Sequence, residues 1–433
     1  MAMFNLLPAG IIRVNGTECL SCANWTPTGV GSKQYQIAPS DVTRYAAFLQ
    51  ATGWQALYGI NMSNYYDSSL APAVDIQTVA NAVNEAQYVA GALGSSLYGI
   101  EIGNEPEQYY RQTDSSTGYM ANLPHGTSYS VTDYEATWIL FYNGIHAALP
   151  NVPLVGPGTG LIPTWAAPFA TYAGTKLSSL TIHYYRDYLQ SSSDTALWLV
   201  GYPDPNLVQN SAQTETAVKA ASIPWRLDEG NSSDNDTLAG IADGFGSALW
   251  ALDTLFTIAL NGGTGMNFMT GNALYTGDYS PFAYLDPGSG VSLVRPEFYG
   301  LVLFGMVGEG NLYPATLSGI GSLNISAFAV KTSTGLNLII VNKDPAQNLQ
   351  LTINLPKNVN TATLLALTSV SESSQPSLNT TCAVNTPCGV TIQGSNIGVN
   401  GSFTPGEPYG LSFSGSQVSC YVPYTSAVLI QTT

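Results

Sequence analysis

Charge is what this chain has least of. Only 9% of its 433 residues are Asp, Glu, Lys or Arg, against about 25% in an average soluble protein. There are 12 basic and 28 acidic residues, a net charge of −16. So few cations exclude the basic face that nucleic acid or an anionic bilayer requires, and neither is an expected partner. The surplus of carboxylates suits work in acid, where part of it is neutralised. Long apolar runs are also missing. The best, SALWALDTLFTIAL, is broken by Asp253 and falls short of the roughly 18 residues of a membrane helix. The opening MAMFNLLPAG lacks the basic start and apolar stretch of a signal peptide. Internal repeats, low-complexity tracts and long linkers are absent too.

Cysteine is scarce as well. The five form two local pairs, Cys19/Cys22 and Cys382/Cys388, and a single Cys420. No second pair stands at zinc spacing, so no metal is expected. Cys382 and Cys388 are a plausible disulfide in an oxidising compartment, and Cys420 a buried thiol. Asn-X-Ser/Thr sequons stand at Asn15, Asn24, Asn61, Asn231, Asn235, Asn324, Asn379 and Asn400. They favour a secreted glycoprotein even without a visible export signal.

What is present is alternation. Up to about residue 305, the apolar runs GIIRVNG, ALYGIN, LYGIEIGN, VPLVGPG, LTIHYY, WRLDEG and MNFMTGN alternate with amphipathic helical patterns. Strand–helix repetition predicts a parallel sheet wrapped by helices. Polar, chemically useful residues follow nearly every strand. That favours a (β/α)8 TIM barrel, whose site lies at the strands' C-terminal ends, over an open sheet with one switch point. Seven strands are legible, so the first is expected to be cryptic or missing, which would leave two exposed edges. After RPEFYGLVLFGMVGEG the pattern changes to period-two runs such as NISAFAVKT, LNLIIVNKD and LQLTINLP. Residues 1–305 are thus read as the barrel and 306–433 as an antiparallel β-sandwich.

Two strand ends carry glutamates. Glu105 follows YGIEIGN, with Pro106 expected to stop the strand, and Glu229 follows PWRLD. Facing each other across a barrel mouth, one can hold a proton while the other stays ionised, the division of labour that hydrolyses a glycosidic bond. By strand alternation Asp228 points away from Glu229, so only one of them lines the mouth. Glu101 shares the parity of Glu105 but lies deeper. Glu107 reads as loop surface. Tyr275, Tyr279 and Tyr284 follow the last barrel strand and are candidates to stack on sugar.

IEIGNEP at 100–106 resembles the acid/base motif of the clan of retaining (β/α)8 glycoside hydrolases. Together with RVNG at 13–16, YGIN at 58–61, IHYY at 182–185, DEGNS at 228–232, ADGFGSALWALD at 242–253 and RPEFYGLVLF at 295–304, it resembles glycoside hydrolase family 79, which holds β-glucuronidases and heparanase. The resemblance implies a secreted, monomeric, retaining β-glycosidase acting on terminal β-linked sugars, with a carbohydrate or glycoside as partner and no cofactor. It implies Glu105 as acid/base and Glu229 as nucleophile. Asn104 would bind the sugar 2-hydroxyl and Tyr185, beside His183, would hold the nucleophile. Arg13 and Asn61 end earlier strands and are further substrate-site candidates. One departure matters for specificity. Uronate-binding members carry a glycine pair after the nucleophile, whereas here the chain reads GNSSDNDTLAG, with Asp234 and Asp236. A carboxylate beside a bound carboxylate is repulsive, so a β-glucosidase or β-xylosidase is the alternative within the family. A carbohydrate-binding protein with a dead site is the alternative outside it.

Overall fold

The computed structural model describes residues 1–433 other than 17–23, 32–35, 63–76, 110–128, 188–194, 236, 271–276, 287, 371–374 and 385–387. Seven parallel strands form one sheet in chain order: β1 (Ile11–Val14), β2 (Gln55–Ile60), β3 (Leu97–Ile102), β4 (Leu154–Thr159), β5 (Ser179–Asp187), β6 (Trp225–Ser233) and β7 (Gly263–Phe268). They are the seven runs legible in the sequence. Helices α1 (Pro39–Thr52), α2 (Val79–Leu93), α3 (Val131–Ala148), α4 (Ala167–Ala173), α5 (Pro205–Ala221) and α6 (Phe245–Leu260) lie between them. Their starts follow local chemistry. Thr78 accepts from Asn81 N at the head of α2, Ser130 and Asp133 form a capping box on α3, and Asp204 accepts from the first two amides of α5. Each cap satisfies backbone donors that a helix start leaves orphaned.

The sheet is a nearly closed barrel. Among the described residues no eighth strand joins β1 to β7. The seam is bridged by a side chain: Asn267 Nδ2 on β7 donates to Ile11 O on β1 at 2.8 Å. Phe4 covers the same region, packing edge-on to Phe48 of α1, to Trp54, and to Phe282 beyond β7. The two exposed edges expected of a seven-stranded barrel are therefore partly satisfied by polar and aromatic side chains.

Helix α7 (Pro296–Met306) leads into antiparallel strands. These are β8 (Asn311–Pro314), β9 (Ile325–Lys331), β10 (Leu336–Asn342), β11 (Leu349–Asn354), β12 (Ala362–Ser369), β13 (Val390–Ile392), β14 (Gln417–Val422) and β15 (Ser426–Thr432). One sheet runs β8-β9-β10-β15-β12-β13, and β11 and β14 belong to a second, smaller sheet. The large sheet is covered on both faces. Ile340, Leu364 and Ile430 pack toward Val418 and Val422 of the small sheet. Phe328, Ile339 and Leu429 pack toward Leu249, Phe256 and Phe298 of α6 and α7. This explains why LIIV at 338–341, in the middle of β10, is continuously apolar rather than alternating. It also explains α6, which is apolar around its whole circumference because the barrel lies on one side and the sandwich on the other.

Its one acid, Asp253, meets Lys343 Nζ of the sandwich at 2.6 Å and also accepts from Ser326 Oγ. Cys382 and Cys388 are disulfide-bonded and Cys420 is a buried free thiol, while Cys19 and Cys22 lie outside the described residues. Among the sequons, Asn61 and Asn231 are buried, and Asn235, Asn379 and Asn400 are exposed. No helix among the described residues is long and apolar enough to cross a membrane.

Candidate active site

The C-terminal ends of β1, β3, β5 and β6 converge on one polar cluster whose centre is Arg13. Its guanidinium donates to Glu101 Oε2 (2.8 Å), Glu229 Oε2 (2.6 Å) and Asn104 Oδ1 (2.6 Å), and its Nε lies 2.7 Å from Asp228 Oδ2. Tyr185 Oη donates to the other oxygen of Glu229 at 2.8 Å. His183 Nδ1 is 3.1 Å from Glu105 Oε1, and its Nε2 is 3.6 Å from Asp228 Oδ1. Six sequence-nominated residues thus share one polar cluster: hydrogen bonds join Arg13, Asn104, Glu229 and Tyr185 to one another and His183 to Glu105, and the 3.6 Å contact of His183 with Asp228 lies between the two groups. The seventh, Asn61, is buried directly after β2 at the same end of the barrel. One side-chain oxygen or nitrogen each from Glu105, His183 and Glu229 lies within 4.8 Å of the others. Such a trio could ligate a cation, but Tyr185 and Arg13 already occupy Glu229 and the guanidinium charge opposes one.

Backbone turns aim these groups. Strand β3 ends at Ile102, earlier than the proline would dictate, because Gly103 turns the chain at φ 88°. A Cβ there would come within 2.6 Å of Tyr109 Oη. Glu105 itself is in the left-handed region, φ 42° and ψ 58°. A non-glycine residue adopts that conformation at a cost of about 1 kcal/mol, and here its N–H is held by Gly158 O at 2.9 Å. Such strain at a candidate acid fits the tendency of functional sites to store it.

Two expectations need correction. Asp228 does not turn away from Glu229. Strand β6 pairs Leu227 with Ile182 and Glu229 with His183, so Asp228 is an extra residue in the β5–β6 register. This bulge breaks the two-residue period and brings both acids to Arg13. Glu107 is not surface. It is half-buried, with Oε1 accepting from Gly160 N at 3.2 Å and the carboxyl close to the Thr159 hydroxyl. Burial pushes its pKa up, and the charge of Glu105 adds to that. Tyr279 is mostly buried near the Tyr185 phenol, and Tyr284 lies half-buried in a short β-ribbon. Tyr275 and Asp236 lie outside the described residues.

Some members of the network were not nominated. Asn15 Nδ2 donates to Glu101 Oε2 (2.6 Å) and Gly103 O (3.0 Å), Thr181 Oγ1 donates to Glu101 Oε1 (2.6 Å), and Gln108 Nε2 donates to Glu105 Oε2 (3.2 Å). Parity on β1 was a usable signal for Asn15, two residues from Arg13. Bare backbone at Gly158 matters as well, since a Cβ would sit 3.1 Å from Glu101 Oε1 and 3.2 Å from His183 Nε2.

The electrostatics divide the acids. Burial alone would raise Glu229, but the charges of His183 and Arg13 and the Tyr185 hydrogen bond outweigh it and hold Glu229 below the usual carboxylate range. Burial likewise opposes charge on His183, yet Glu229, Asp228 and the bond to Glu105 raise it to about 9. Burial and then the charge of Glu101 push Asp228 well up against the pull of Arg13, while Arg13 overcomes burial to keep Glu101 low. Glu101 and Asp228 so share one negative charge beside the guanidinium.

No family model and no curated protein matches the chain. Solved structures do. A 4-O-α-L-rhamnosyl-β-D-glucuronidase from Fusarium oxysporum superposes with a TM-score of 0.76 at 17% identity, covering 99% of this chain and 90% of that one. A family 51 arabinofuranosidase from Xanthomonas axonopodis pv. citri gives 0.64 at 12% identity, covering 100% and 88%. A family 44 xyloglucanase from Paenibacillus polymyxa gives 0.64 at 11% identity, covering 99% and 94%. The chain shares the fold of these glycoside hydrolases.

Proposed function

We propose that this protein is a retaining β-glycosidase in which Glu229 is the nucleophile and Glu105 the acid/base. The observation that carries the reading is their separation: carboxylate oxygens within 4.8 Å. Double displacement needs carboxyl groups about 5–5.5 Å apart, and inversion needs about 6.5–9.5 Å so that water fits between them. Glu229, kept ionised by Arg13, His183 and Tyr185, attacks the anomeric carbon. Both of its oxygens already accept one hydrogen bond, and each keeps a second lone pair. Glu105, with 23% of its side chain exposed, gives its proton to the leaving oxygen. It later takes one from the water that releases the sugar. With Asn104 Oδ1 held by Arg13, its Nδ2 is the end that donates to the 2-hydroxyl.

For the sugar we favour glucuronic acid. This rests on the motif resemblance to family 79 and on the activity named for the Fusarium enzyme. A neutral sugar is the second reading, favoured by Asp234, a half-buried acid close enough to Glu105 to feel its charge. Secretion is proposed with it, resting on the exposed sequons and the disulfide. Aryl β-glucuronide, β-glucoside and β-xyloside, offered to wild type and to Glu229→Gln, test the reading. One of the three is expected to turn over, and the variant to lose at least about 10⁴-fold, as removal of a nucleophile does. Near-normal turnover by Glu229→Gln would refute the assignment.

A further inference from the structure

We infer that Asp228, His183 and Glu105 form a positioning chain in which His183 fixes which oxygen of Glu105 carries the catalytic proton. The inference rests on the reading of Glu105 as acid/base. A histidine buried merely for packing meets neutral partners. His183 is 1% exposed and is faced by acids from several elements: Asp228 and Glu229 on β6, Glu101 on β3, and Glu105 and Glu107 beyond β3. The opposing cation is Arg13 on β1. Burial disfavours charge on the ring, but the anion of Glu229, the negative charge that Asp228 and Glu101 share, and the bond to Glu105 outweigh it and hold it as an imidazolium, with a pKa raised to about 9. Both ring nitrogens are then donors. Nδ1 reaches Glu105 Oε1 at 3.1 Å, whereas Nε2 makes only a charge contact with Asp228 Oδ1, at 3.6 Å too long for a hydrogen bond. Asp228 is held in turn by Arg13 through its other oxygen at 2.7 Å.

The consequence is geometric. Both oxygens of Glu105 accept an N–H, Oε1 from the charged ring at 3.1 Å and Oε2 from the neutral Gln108 amide at 3.2 Å. The charged donor is the stronger and keeps the negative end of the carboxyl at Oε1, so the acid proton resides on Oε2. In the first step that proton moves to the glycosidic oxygen as the C1–O bond breaks, the electron pair leaves with the aglycone, and Glu229 bonds to C1. Glu105 is then a carboxylate facing an N–H already in place. In the second step water attacks C1, its proton returns to Glu105, and the C1–Glu229 bond breaks. His183 keeps its own proton throughout. It acts through Glu105 and is a positioning residue.

A positioning role on the acid differs from a structural role in its leaving-group dependence. A phenyl glycoside needs protonation of its leaving oxygen, and a 2,4-dinitrophenyl glycoside scarcely does. For His183→Ala we expect kcat/KM to fall at least about 100-fold on the phenyl substrate, in line with the usual share of general acid catalysis. On the dinitrophenyl substrate we expect a loss under about 10-fold. His183→Asn, which keeps a donor near the Nδ1 position, should recover most of the phenyl activity. In a Glu105→Ala background, adding His183→Ala should cost almost nothing more, since both act on one proton. Equal slowing of both substrates, no slowing of either, or full additivity with Glu105→Ala would each overturn the chain. If Glu229→Gln is inactive in the same assays, that failure belongs to the chain and not to the glycosidase assignment.

Discussion

At the scale of single residues, the account turns on how Glu229 remains an anion in a buried site. Two hydrogen bonds and two cations surround it, and each can be removed separately. Tyr185 Oη is the smallest such group, 2.8 Å from Glu229 Oε1. Tyr185→Phe removes one hydrogen bond to a charged acceptor, worth about 1.5–3 kcal/mol, and leaves the ring to pack. We expect kcat/KM to fall about 10- to 100-fold. The acid limb of the pH–rate profile should also move up, because a bond that favours the carboxylate is gone. Steady-state kinetics across pH 3–7 measure both. An unmoved acid limb would place the stabilisation of Glu229 elsewhere. Arg13 is less informative to mutate, since it also holds Glu101, Asn104 and Asp228.

Among elements, α6 shows how the barrel and the sandwich are joined. Its apolar surface is buried on both sides, and its ion pair with the sandwich is Asp253 with Lys343. Lys343 is fully buried and stands over the Tyr202 ring at 4.8 Å. Removing one member of a buried pair strands the other charge and costs about 3–5 kcal/mol, whereas replacing both with apolar groups is often nearly neutral. Lys343→Met alone should therefore lower stability by about that amount, and Asp253→Leu/Lys343→Met should recover most of it. Urea denaturation of the three proteins checks this. A double variant as unstable as the single would mean the tie is worth more than its desolvation.

Elements also show what the sequence discloses. All seven barrel strands are legible because each is a short apolar run closed by a turn residue, and Glu105 is legible because Gly-Asn-Glu-Pro ends such a run. Asp228 is not, since a one-residue bulge reverses parity without any mark in the composition. Glu107 is not, because burial of a loop acid depends on how β4 leaves the barrel and brings Gly160 to it. The bridging of the seam by Asn267 and Phe4 is equally tertiary. It joins residues from opposite ends of the barrel that no local pattern connects.

For the whole molecule, the acids predict how stability responds to pH. Burial raises Glu85, which takes a hydrogen bond from Tyr58, to about 8, pushes Glu297 well up, and raises Asp243 and Asp253. Each contributes stability that is fully present below its unfolded pKa, near 4, and lost as pH rises through its folded value. His183 adds in the same sense, its contribution present below about 6.5 and lost as pH rises through about 9. Glu101 and Glu229, held low, act oppositely and lose their contribution only as pH falls through their folded values. The raised groups outnumber the lowered ones, so Tm should be higher at pH 5 than at pH 8.5, consistent with a chain of net charge −16. Thermal melts across that range measure it, and a Tm that climbs toward pH 8.5 would contradict the burial of these acids.

The central claim is that the side chains of Glu105 and Glu229 meet across one cavity as a double-displacement pair. It is tested most directly by proton NMR of the sugar first released from an aryl β-glycoside that the wild-type protein hydrolyses. The account predicts the β-anomer first, followed by slow mutarotation. The α-anomer appearing first would contradict it.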